Sequence, residues 1–209
     1  MMKQIPLLLN DEMARAVSNG SKTQTRKPVK PQPTAEHGLI FQGISMGKFG
    51  SGSNLELASP YGDPGDMLYV REAFAIARAT MHPDCEIDEL SHIPKTKPKG
   101  WGICYRATAP SAPVTWRPNI HMPKWAARTW LRVNRVWVER IQDISPVDAI
   151  AEGITDDHYH PNPFSELWGR IYPGSWSRND WVWCCEFAKE YKELSTKTQL
   201  PGQPGNGGE

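Results

Sequence analysis

The run Gly20-Ser21-Lys22-Thr23-Gln24-Thr25-Arg26 places a turn, an amine, hydroxyls and a guanidinium close together in the chain. A threonine hydroxyl becomes a nucleophile when a neighbouring base takes its proton, and a lysine serves as that base when burial or a nearby cation lowers its pKa toward ~7–8. Arg26, or the basic stretch beginning at Arg117, supplies such a cation, while a loop position for Lys22 argues against deep burial. Far downstream, Asp148-Ala149-Ile150-Ala151-Glu152-Gly153-Ile154 ends on a carboxylate, Glu152, which could orient the amine or protonate a leaving amine. Plain alternatives stand beside each reading: a solvated turn for 20–26, a helix-end carboxylate for Glu152, and a surface ion pair for Arg71 and Glu72. Lys22 and Thr25 differ by three, so they face opposite sides of a regular strand and converge only where the chain curls or bulges.

These groups need elements to position them. Leu7-Leu8-Leu9 reads as a short strand, and Asn10 to Val17 as a helix with Met13, Ala16 and Val17 on one stripe, stopped by Asn19-Gly20. Met67 to Arg71 is a strand behind a Gly65-Asp66 turn, with Phe74 to Ala77 expected to continue it. Trp101 to Ala107 is another strand, and Pro123 to Arg128 forms a single helical turn. Thr129 to Ile141 is a long strand whose apolar parity slips, which predicts a bulge near Asn134-Arg135. Ser145-Pro146 starts a helix with a capping hydroxyl and a proline in the first turn, and Gly153 ends it. Phe164, Leu167, Trp168 and Ile171 fall at core spacing on a further helix, and Trp181 to Phe187 is expected to close the sheet.

The ordered set Gly20-x-Lys22-Thr23-x-Thr25-Arg26, Gly65-Asp66-Met67-Leu68-Tyr69-Val70-Arg71-Glu72 and Asp148 to Ile154 resembles the motifs of ASCH-domain proteins, a branch of the PUA-like superfamily. The stretch Trp116-Arg117-Pro118-x-Ile120-His121-Met122-Pro123-Lys124-Trp125-Ala126 further resembles the versions carried by bacteriophages and prophages. The resemblance runs from about residue 4 to residue 188. It implies an α+β fold, a small PUA-like β-barrel with a few short helices; the Pro-, Gly- and Ser-rich stretch at about 28–63 and the stretch at about 78–100 read as two long loop insertions within one domain over 1–194. It also implies a function, metal-independent hydrolysis of an amide on a modified nucleoside such as N4-acetylcytidine, without a cofactor. Lys22, Thr25 and Glu152 become the catalytic set. Thr23, Arg26, Arg71, Trp116, Arg117, Lys124, Trp125 and Arg128 become candidates for holding substrate. The chain is about twice as long as the small hydrolases of that family, so its insertions could open the pocket into a groove for an oligonucleotide or a protein.

Composition narrows the choice. With 209 residues and a formal net charge of +1, no global field argues for unspecific nucleic-acid binding. Locally, six basic residues from Arg117 to Arg140 stand against Glu139 alone, interleaved with Trp116, Trp125, Trp130 and Trp137. Trp116, Trp125 and Trp137 beside Arg117, Arg128 and Arg135 could stack bases and hold phosphates, or could be core and covering residues. A non-catalytic module binding single-stranded RNA or a nucleotide, or a ribonuclease, is therefore the alternative function. The four cysteines show no CxxC pair and read as packing residues, and adjacent Cys184 and Cys185 point to opposite faces of a strand. His82-x-x-Cys85 and His158-x-His160 are the only hints of metal ligands, and no metal site is expected. No run approaches membrane-spanning length, so a cytoplasmic protein of a bacterial host cell is expected. The polar, Gly/Pro-rich tail 195–209 is expected to be disordered.

Overall fold

The computed structural model describes residues 1–33, 48–50, 56–79, 87–154 and 163–190. His82, Cys85, His158, His160 and the tail 195–209 lie outside the described residues. The elements in chain order are β1 (Gln4–Leu8), α1 (Asp11–Asn19), β2 (Gln24–Pro28), β3 (Lys48–Gly50), β4 (Glu56–Ala58), β5 (Met67–Arg71), β6 (Phe74–Ala79), β7 (Ile87–Glu89), β8 (Gly102–Tyr105), β9 (Trp130–Arg140), α2 (Pro146–Ala151), α3 (Pro163–Ile171) and β10 (Trp181–Glu190). The fold is mixed α+β, rich in sheet with short helices.

Five strands form the main sheet in the order β1-β5-β9-β10-β2, with β1 parallel to β5 and the other pairs antiparallel. β10 does not close this sheet but lies inside it, between β9 and β2, because both its faces carry apolar residues that need cover. Cys185 joins the core of Leu7, Val17, Leu68, Val133 and Phe187 on one face, while Cys184 joins Ile141, Phe164, Trp168 and Val182 on the other. Burial pushes the Cys185 thiol up to about 12 and the Cys184 thiol well above its ordinary value, so both pack as neutral groups.

The expected bulge is present. Glu186 faces Arg135 and Phe187 faces Val133, leaving Asn134 as the extra residue that keeps Val133 and Val136 both buried. Phe74 to Ala77, by contrast, does not continue β5. The chain breaks at Glu72-Ala73, and β6 opens a three-stranded sheet, β7-β6-β8, over a separate core of Phe74, Ile76, Met122 and Ala126. The break is held by Glu72, almost fully buried, whose carboxylate accepts two 2.8 Å bonds from Arg128. Both stretches read as insertions contain strands: β3 pairs with β4, and β7 pairs with β6. Ile171, expected in the core, is 41% exposed.

Strands β1 and β2 end the hydrogen-bonded order, and among the described residues no strand pairing closes the sheet into a barrel. Residues of both edges nevertheless line one cavity of about 300 Å³, so the sheet curls until its edges face each other across that space.

Candidate active site

Two helix ends deliver the polar groups to this gap. At the end of α1, Gly20 adopts φ 85°, its N–H donates to the Val17 carbonyl, and the chain turns so that Lys22 N–H donates to the Ala16 carbonyl at 3.0 Å. At the start of α2, Ser145 Oγ accepts from Asp148 N–H and Pro146 occupies the first turn, as expected from the sequence. The helix stops after Ala151, and Gly153 at φ +93° turns the chain away. A Cβ on Gly153 would come within 3.2 Å of the Cβ atoms of Ala16 and Lys22, so the two helix ends approach here at glycine distance. The result is an antiparallel bridge between Lys22 and Glu152, 130 positions apart, secured by Thr23 N–H donating to the Ala151 carbonyl at 2.7 Å.

The side chains meet inside this bridge. Lys22 Nζ donates to a carboxylate oxygen of Glu152 in a short contact and to the Glu152 carbonyl at 3.0 Å. Arg26 Nη1 donates to the other carboxylate oxygen at 3.0 Å. Arg26 Nε donates to Glu139 at 2.8 Å, and Asp148 Oδ2 lies 3.9 Å from Arg26 Nη2. Gln24 ties the set together, accepting from Arg26 at 3.1 Å and donating to Asp148 at 2.9 Å. Lys22 is only 2% exposed and Glu152 6%, so the loop position that argued against burial is overturned: the helix ends cover the amine. Burial opposes the Arg26 charge, and the Glu152 and Glu139 carboxylates outweigh it and hold the guanidinium above its ordinary value. The cation beside Lys22 and Glu152 is thus Arg26, and among the described residues no basic side chain of the stretch from Arg117 pairs with Glu152.

Thr25, Arg26, Lys27 and Glu152 line the cavity from the β2 side, Leu7 to Asn10 from the β1 side, and Phe164, Trp168 and Tyr172 from α3 and its C-terminal turn. Lys22 does not line it; its amine lies behind Glu152. Thr25 pairs across the strands with Cys185 and Arg26 with Cys184, which puts them on opposite faces of β2. A cavity beside an edge strand meets both faces, so Thr25 and Arg26 can both border it. The Thr25 hydroxyl makes no hydrogen bond among the described residues and is free to engage a ligand.

The strand edges themselves add hydrogen-bonding groups. Phe187 N–H donates to the Thr23 carbonyl and Val29 N–H to the Trp181 carbonyl. The odd-numbered residues of β2 therefore bond β10, and the main-chain groups of Arg26 point out of the sheet. On β1, Met67 N–H donates to the Lys3 carbonyl and Leu9 N–H to the Arg71 carbonyl, which turns the N–H and C=O of Leu8 outward by the same alternation. Leu8 and Arg26 both line the cavity, so their main chains offer donors and acceptors to a flat polar occupant.

The remaining sequence candidates lie elsewhere. Thr23 is exposed, and Arg71 donates to the Ile120 carbonyl. Arg117 donates to the Leu90 carbonyl and pairs its main chain with Phe74. Trp125 packs on the second core, its indole donating to the Pro94 carbonyl at 3.1 Å, and Lys124 lies 5.9 Å over Trp130. Arg128 stacks 4.0 Å over Tyr105 while holding Glu72. Trp116 is half-buried, and none of these residues lines the Glu152 cavity. Trp137 comes nearer: Arg26 and Arg135 lie 5.9 and 4.8 Å over its ring, and its indole donates to Glu139 at 2.7 Å.

Residues that the sequence did not single out include Glu139 and Asp148, which share Arg26, and Lys27, Trp168 and Tyr172 on the cavity wall. Strand alternation could have put Lys27 on the Thr25 face, but nothing local marks a carboxylate 113 positions from Arg26 as its partner. Among the described residues no group of three or more His, Cys, Asp or Glu is placed to hold a metal, and no helix is long and apolar enough to cross a membrane. Comparison with protein-family models, with curated proteins and with solved structures finds no match to this chain.

Proposed function

We propose that the chain is a metal-independent amidohydrolase acting on an acylated nucleoside or nucleotide such as N4-acetylcytidine, with Thr25, Glu152 and Lys22 as its working set. One observation carries the reading: a carboxylate held from both oxygens by buried cations belongs to the wall of a cavity that Thr25, its hydroxyl unbonded among the described residues, also lines. A space of about 300 Å³ bordered by aromatic rings and by outward main-chain groups suits a single planar base with its sugar. In this account Thr25 Oγ attacks the acyl carbon and its proton passes to the Lys22–Glu152 pair. The C–N bond then breaks, and that proton goes to the departing nitrogen, leaving an acyl ester on Thr25. Water hydrolyses the ester and releases the carboxylic acid. Arg26 and Lys22 keep Glu152 in place while the ligand exchanges.

The curled sheet with facing edges is read here as an incomplete PUA-like barrel, and the ASCH resemblance of the 20–26 and 148–154 segments agrees with that reading. A phage-type protein working in the bacterial cytoplasm fits it as well. A binding module without turnover is the second reading, favoured by the absence of any hydrogen bond that would activate Thr25. Incubating the purified protein with acylated nucleosides and following the products by chromatography separates the two. Release of free nucleoside and acid by wild type, lost in Thr25→Ala, supports the hydrolase, whereas saturable binding without product supports the module.

A further inference from the structure

Lys27 stands out among the cavity residues because it is a half-buried cation with no carboxylate partner among the described residues. Its Nζ sits 5.4 Å over the Tyr61 ring, and burial pushes its pKa below the ordinary lysine value. Desolvated cations are normally paired, so an unpaired one beside a cavity marks a place for an anion. Lys27 also lines a second cavity of about 310 Å³, shared with Pro28, Lys30, Tyr172 and Trp183. Tyr172 borders both spaces, and Lys30 is exposed on the far side. The two cavities share Lys27 and Tyr172 as lining residues: Glu152 and Thr25 belong to the first, Lys30 to the second, and Lys27 to both.

From this arrangement we infer that the occupant carries a phosphate, received by Lys27 with Lys30 behind it, so that the substrate is a nucleotide rather than a neutral nucleoside. The base identity rests on the amidohydrolase reading, and the phosphate on Lys27 alone. Glu152 cannot serve this purpose, because a carboxylate repels phosphate; the carboxylate on one side and the amines on the other therefore sort the two ends of the ligand and fix its orientation. The phosphate source is either a free mononucleotide or a residue within a strand.

Calorimetric titration with N4-acetylcytidine, its 5′- and 3′-monophosphates and a short oligoribonucleotide containing it tests the inference. Wild type should bind at least one monophosphate about ten- to a hundredfold tighter than the nucleoside, the scale of one charge-assisted contact. Lys27→Met should abolish that preference, and Lys27→Arg should retain it. Tighter binding of the oligonucleotide than of either monophosphate identifies a strand as the source, and weaker binding identifies the mononucleotide. Equal affinity for nucleoside and both monophosphates, or a preference that survives in Lys27→Met, overturns the phosphate site but leaves the hydrolase reading intact. Failure of every ligand to bind overturns both.

Discussion

Glu152→Gln removes the negative charge shared by Lys22 and Arg26 and so measures how far the fold depends on the site. The Lys22 and Arg26 side chains are 1% and 0% exposed, and the change leaves the amine with the residue-152 main-chain carbonyl at 3.0 Å and a neutral amide in place of the carboxylate. Arg26 keeps Glu139, so most of the cost falls on Lys22. Breaking a buried pair from one side costs about 3–5 kcal/mol, and the retained amide offsets part of that, so about 3 kcal/mol is expected. For a chain of this size that is a fall in Tm of roughly 6–12 °C. The assay is urea unfolding followed by circular dichroism for wild type, Lys22→Met, Glu152→Gln and the double variant. Because the singles each strand a partner and the double does not, the double should be at least about 1–2 kcal/mol more stable than the sum of single losses implies. A Glu152→Gln protein within about 0.5 kcal/mol of wild type, or strict additivity, refutes the claim that these residues form one buried unit.

Three further outcomes follow from the same geometry. Gly153→Ala should cost about 2 kcal/mol, since a Cβ at φ +93° also presses on Ala16 and Lys22, whereas Gly20→Ala, at φ +85° with open space around it, should cost about half as much; thermal melts compare the two. Arg128→Ala strands the buried Glu72 carboxylate and should lower stability by about 2–3 kcal/mol in urea, without altering ligand affinity at the distant cavity. Asp66 accepts from the main-chain N–H groups of Lys3 at 2.7 Å and Asp63 at 3.0 Å. Burial raises its pKa, and these bonds with Lys3 outweigh it and hold the group below the ordinary aspartate value. A depressed folded pKa adds stability above the unfolded value that is lost as pH falls through the folded one, so Asp66→Ala should cost about 1–2 kcal/mol near pH 7 and progressively less below about pH 4.

The parts of this molecule legible in the sequence were those decided locally. The Ser145-Pro146 cap, the Asn19-Gly20 stop and the Asn134 bulge each follow from side chains within a few residues, and each stands where expected. Sheet order did not follow, because the pairing of β10 with both β9 and β2 depends on apolar cover from distant helices. The same limit governs the site. Motif likeness pointed to Lys22 and Glu152, which the structure brings into contact, but their burial arises from the meeting of two helix ends that neither segment encodes alone. The basic, tryptophan-bearing stretch shows the same limit: its charge and aromatic content resemble a nucleic-acid surface in one dimension, and several of its side chains have partners within the fold. Folded, Arg128 is engaged with buried Glu72, and Trp125 with the second core.

In the proposed reaction Thr25 is the group that carries the acyl moiety. Wild-type protein mixed with an acylated nucleotide, quenched in acid within the first turnover, digested and analysed by mass spectrometry reads this directly. An acyl group on the peptide containing Thr25, absent in Thr25→Ala and accumulating when ester hydrolysis is slowed, is the result expected. Product formation with Thr25 unmodified at every quench time, and undiminished turnover in Thr25→Ala, would contradict it.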